Sequence, residues 1–115
     1  MRGAADRLAA KLRTVEIRKP QIPFISAVDA IAHQEPADLH ELLVRQLPSP
    51  VRWWDTVRAL SATGVAQLIE CGPGKVLTGL NRRIEKRAGL EFLALEDPAS
   101  VEAALTAVKG VANAQ

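Results

Sequence analysis

Leu8, Leu12 and Val15 recur at helical spacing within residues 3–15, while Arg7, Lys11 and Arg13 fall off that stripe. The pattern predicts an amphipathic helix. Prolines at 20 and 23 end it, and the apolar run 23–28, PFISAV, reads as a short buried strand. The segment HQEPAD reads as a loop in which Asp38 N-caps a second helix over residues 39–47. Pro48 and Pro50 break that helix. A third follows over residues 52–64, with Trp53, Val57 and Leu60 on one face and Gly64 as its stop. Residues 65–71, VAQLIEC, form a second strand, and the turn GPGK leads into a helix over 75–87. LEFLAL, residues 90–95, is a third strand, and Pro98 opens a last helix.

About five helices and three short strands therefore alternate, which predicts an α/β fold with parallel strands joined by right-handed crossovers. A three-stranded parallel sheet covered on both faces ordinarily continues into further strands, so the missing ones are expected in a longer chain. The length of 115 residues fits one core.

Charge and composition narrow the function. Fifteen basic against thirteen acidic residues give a net charge of +2, too little for a nucleic-acid footprint. Two Phe, two Trp and no Tyr leave few surfaces for base stacking. No apolar run is long enough to span a membrane, and no secretory leader precedes the first helix, so a cytoplasmic location is expected. The single Cys71 has no partner for an internal disulfide, which agrees with that compartment.

The stretch IECGPGKVLTGL, residues 69–80, holds the main chemical candidate. A phosphate-binding P-loop needs Gly where Ile69 stands and Ser or Thr where Val76 stands; a dinucleotide fingerprint needs Gly at Leu77. Neither fits, and no cofactor is expected. The turn still presents backbone N–H groups and a positive helix end beside Lys75, open to an anion; the alternative is a plain strand-to-helix turn that two glycines allow. A nucleophile elbow around Cys71 would need Gly at Ile69 and Pro73, so a buried structural cysteine is expected, and a Cys71–His40 hydrolase ranks far behind. None of Ser26, Ser49, Ser61 and Ser100 has the G-x-S-x-G context. His33 and His40 lack metal-pair spacing and read as surface residues, so no metal is expected. Gln46 follows Leu42 by four and Leu43 by three, placing its amide on an apolar stripe. It is either satisfied by nearby backbone or orients a catalytic group from elsewhere. Lys75, Arg82, Arg83, Lys86 and Arg87 make a basic helix, read as a solvated face or as a dock for an acidic partner.

Three segments, MRGAADRLAAKL, LLVRQLPSPVRWWDTV and IECGPGKVLTGLNRRI, resemble in order and spacing the C-terminal third of the malonyl-CoA:acyl carrier protein transacylases of bacterial fatty acid synthesis. The resemblance covers residues 1–108 and leaves 109–115 as a flexible tail. It implies the C-terminal part of the large α/β-hydrolase-like subdomain of an acyltransferase. It also implies transfer of malonyl from coenzyme A, through a serine ester, to the thiol of acyl carrier protein, with a histidine as base and an arginine holding the malonyl carboxylate. Of that machinery only Gln46 maps here, matching the family glutamine whose main chain orients the catalytic histidine. The serine, histidine and arginine belong upstream, the histidine a few residues before Met1. Ser26-Ala27 departs from the asparagine that family members often carry there. The resemblance implies malonyl-CoA, acyl carrier protein and the N-terminal remainder of the enzyme as partners. Alone, the chain is expected to be inactive; the alternative is a non-catalytic module that binds acyl carrier protein through the basic helix 75–87.

Overall fold

The computed structural model describes residues 2–114, which fall into two compact units, one up to Ala59 and one from Leu60 onward. The first unit begins with helix α1 (Arg2–Leu12). It ends three residues earlier than the apolar spacing implies, because the Thr14 hydroxyl donates to the carbonyl of Lys11 at 2.7 Å and the chain tightens into i→i+3 turns. Val15 is left exposed.

The run PFISAV does not join a parallel sheet. Only Phe24–Ile25 (β1) is a strand, paired antiparallel with Ala32–His33 (β2). Side chains explain the difference. Ser26, 2% exposed, accepts the Val28 N–H on its hydroxyl at 3.1 Å, and its carbonyl accepts the Ala30 N–H at 2.7 Å. Asp29 Oδ1 accepts the Ile31 N–H at 3.1 Å. These local bonds turn the chain where a strand would have continued.

Helix α2 (Pro36–Arg45) starts earlier than expected. Pro36 sits at its first position, where the missing N–H costs nothing, so Glu35 is the N-cap and Asp38 lies inside the first turn. Leu39 and Leu42 are buried, as is Val57 on helix α3 (Trp53–Ala62). The Arg52 carbonyl starts α3 by accepting both the N–H and the hydroxyl of Thr56, at 3.0 and 2.7 Å.

The second unit holds the element order read from the sequence: β3 (Gln67–Cys71), α4 (Val76–Ile84), β4 (Glu91–Leu95) and α5 (Pro98–Ala114). Strands β3 and β4 pair in parallel from Gln67↔Glu91 to Cys71↔Leu95. Among the described residues this is the one parallel pair, two strands rather than three. Alternation along the strands puts Leu68, Glu70, Phe92 and Ala94 on one face and Ile69, Cys71, Leu93 and Leu95 on the other. Helix α5 lays Val101, Ala104, Leu105 and Val108 beside Ile69 and Leu95, leaving a cavity of about 170 Å³. The Gln67 amide donates to the carbonyl of Ala107 at 3.0 Å and ties the start of β3 to α5. Helix α5 runs past the expected domain limit at 108 to Ala114; Gln115 lies outside the described residues. No described helix is long and apolar enough to cross a membrane.

Candidate functional site

The GPGK turn lies between the end of β3 and the start of α4. Gly72 and Gly74 have φ of 138° and 86°, values that side-chain-bearing residues rarely adopt. Lys75 is the N-cap residue of α4, yet its side chain makes no capping bond. Glu70 takes that place from the strand. Its Oε1 accepts the Thr78 N–H and the Thr78 hydroxyl, both at 2.8 Å, and its Oε2 lies 3.4 Å from the Leu77 N–H. These are the second and third N–H groups of the helix, the ones a capping side chain ordinarily satisfies. The positive helix end that the sequence left open to an anion is thus filled by the chain's own carboxylate. The Thr78 N–H, foremost, and the Thr78 hydroxyl hold the Glu70 carboxyl below its usual range.

The neighbouring helix start is built alike. Asp97 Oδ1 accepts the Ser100 N–H at 2.8 Å, while the Ser100 hydroxyl oxygen receives the N–H groups of Glu96 and Asp97 at 2.9 and 3.0 Å. The Ser100 N–H is the main cause that lowers the Asp97 pKa. Between the two helix starts the Lys75 ammonium meets Glu96 at 3.2 Å. A groove of about 230 Å³ opens beside them, lined by Lys75, Thr78, Arg82, Phe92, Ser100 and Ala103 among others.

The basic residues do not share one helix. Arg82 and Arg83 occupy the last turn of α4, but Lys86 and Arg87 follow it, because α4 ends at Ile84 with Glu85 extended. The Arg87 guanidinium donates to the carbonyl of Val65. Arg82, Arg83 and Lys86 are exposed.

Other candidates are displaced from where the sequence put them. Gln46 is exposed at the C-cap of α2 rather than buried on its apolar face, and its N–H donates to the Leu42 carbonyl at 3.0 Å. Cys71 is exposed rather than buried. His33 is no free surface residue: its Nε2 lies 2.8 Å from Asp29 Oδ2, with both side chains about a fifth exposed. Burial raises the Asp29 pKa, but the Ile31 N–H and His33 outweigh it and hold the carboxyl low. His40 lies apart, beside a groove of about 480 Å³ with Leu12 of α1 and Val44 of α2.

Glu70 escaped the sequence reading because it acts from a strand eight residues ahead of Thr78, outside any capping spacing. Asp97 and Ser100 escaped that reading too, although an acid just before Pro98 with a serine three residues on is a spacing that signals a helix N-terminus.

No protein-family profile matches the chain. Over 106 residues, 92% of its length, it is 43% identical to the malonyl CoA-acyl carrier protein transacylase of Salmonella typhimurium, of which it covers 34%. Among solved structures, an acyl carrier protein S-malonyltransferase from Vibrio cholerae is 50% identical, with a TM-score of 0.79 over 90% of this chain and 33% of that one. A type II polyketide acyl-carrier protein in complex with its malonyl-transacylase gives 44% identity and a TM-score of 0.81, over 92% of this chain and 34% of that one. The chain spans about a third of the length of the curated relatives it matches.

Proposed function

The chain is homologous to one third of the malonyl CoA-acyl carrier protein transacylases, and from that premise we propose that residues 1–108 form the C-terminal segment of such an enzyme. Its work is to complete the fold and to contact the carrier, while the nucleophile, base and malonyl-binding arginine come from the other two thirds. The observation that carries this reading is the match over nine-tenths of the chain in both sequence and fold. Two of its four serine hydroxyls are engaged in local structure, Ser26 in a turn and Ser100 in a helix cap, and none stands in an elbow sequence. A cytoplasmic location goes with the reading.

Gln46 fits its assigned part through its main chain. As the C-cap residue of α2 it belongs to the last carbonyls of the helix, which lack an intrahelical donor. That carbonyl can accept the Nδ1–H of a histidine and fix its tautomer, leaving the other nitrogen to take the serine proton.

The carrier contact rests on the exposed cations Arg82, Arg83 and Lys86. Lys75 is already paired with Glu96 and Arg87 with the Val65 carbonyl, so both serve the contact from fixed positions. A solved relative in complex with its acyl-carrier protein favours this reading. It holds equally if the chain acts as a non-catalytic module.

The test is complementation. The first two thirds of the Salmonella typhimurium relative, expressed with and without this chain, are assayed for malonyl transfer from coenzyme A to acyl carrier protein. Neither piece alone is expected to transfer, and the pair is. Transfer by this chain alone, or a stable but inactive pair, overturns the reading.

A further inference from the structure

We propose that Glu70 is a positioning residue for the carrier contact: it locks the start of α4 so that Lys75, Arg82 and Arg83 are presented in one fixed arrangement. The inference rests on the carrier-binding reading above.

Three observations carry it. The first is that large apolar side chains do little to hold the rotation of α4, which leaves that work to polar contacts. It is nine residues long, too short to persist by propensity. The residues it buries are polar, Thr78 and Asn81, while Val76, Leu77 and Leu80 are exposed, so apolar packing fixes its rotation weakly. The second is the turn. Gly72 and Gly74 sit in backbone regions with positive φ, and nothing lies within 4 Å of where their Cβ atoms would be, so no packing at these glycines constrains the loop. The third is the anchor itself. Glu70 is held by the β3–β4 ladder at Ala94 and grips both the N–H and the hydroxyl of Thr78, which is 3% exposed. This carboxylate makes the shorter sheet-to-helix bonds of Thr78, whose hydroxyl also lies 3.4 Å from the Leu93 carbonyl on β4. A slip of one residue would swing every side chain of α4 by about 100° and disperse its cations.

The test uses the full chain, with binding of holo acyl carrier protein measured by titration calorimetry for the wild type, Glu70→Gln and Glu85→Gln. Both substitutions remove one negative charge near the same cations. Electrostatics alone makes both bind a carrier attracted to those cations more tightly, or equally. Positioning gives the opposite sign at one site only: Glu70→Gln weakens binding about tenfold, and Glu85→Gln does not. Equal or tighter binding by Glu70→Gln overturns the inference and leaves the carrier reading intact. No binding by the wild type removes the carrier reading and the role of Glu70 with it. Should Glu70→Gln fail to fold, Thr78→Val, which deletes one of the two short bonds and keeps the side-chain shape, is expected to weaken binding by a smaller factor; unchanged binding there also overturns the proposal.

Discussion

Glu70 and Asp97 each accept the N–H groups at the start of a helix, and only their charged forms do so at full strength. Both have pKa values lowered on folding. Their stabilisation is therefore complete above the unfolded values of 4.5 and 3.8 and is lost as pH falls through the lower folded values. Denaturant unfolding of the wild type and Glu70→Gln is expected to differ at pH 7 and to converge in strong acid. A constant difference at all pH values contradicts the assignment. At Gly72 and Gly74 the open space around each Cβ position separates backbone cost from clash. Replacing either by Ala is expected to lower stability by about 1 to 2 kcal/mol, read as a shift in the urea midpoint without a change in slope. Gln46→Ala removes only an exposed amide, so its stability should stay within about 0.5 kcal/mol of wild type. In the complemented enzyme, activity should fall only modestly because the carbonyl remains; a loss as large as that from removing the histidine would show that the side chain itself makes the contact.

All five helices were legible from apolar spacing and proline punctuation, because both act over neighbouring residues. Legibility failed where a side chain competed with the backbone or where a partner was distant in sequence. Ser26 and Asp29 cut short the first strand through their own hydrogen bonds, and Pro36 moved the start of α2 ahead of Asp38. A stripe position does not fix burial at a helix end, which is why Gln46 is exposed. The cap from Glu70 could not be read at all, since it depends on the strand and the helix meeting in space. Packing has its own expectation. Leu42, buried on α2, should cost about 2 to 5 kcal/mol when replaced by Ala. The neighbouring Leu43, exposed on the same helix, should cost far less, and equal losses would contradict the packing of α2.

Over the whole chain, large apolar side chains remain uncovered: Trp54 is 58% exposed, Val76 74% and Ile22 78%. In a segment of a longer enzyme, these are positions that the remainder could cover. The chain alone is expected to bind a hydrophobic dye strongly, and the remaining two thirds of a transacylase should suppress that signal on complex formation. Persistent dye binding in an active complex would place these side chains outside the shared interface.

The parallel register of β3 and β4 also bears on how quickly the second unit forms. Its first pair, Gln67↔Glu91, encloses the turn and all of α4, so this sheet has no hairpin from which to zip. Chain closure over that span comes before any ladder bond rewards it. A Glu70–Thr78 latch formed ahead of the ladder would shorten the effective span by organising its interior. Glu70→Gln should therefore slow refolding more than it speeds unfolding, a split readable from the two arms of a chevron plot.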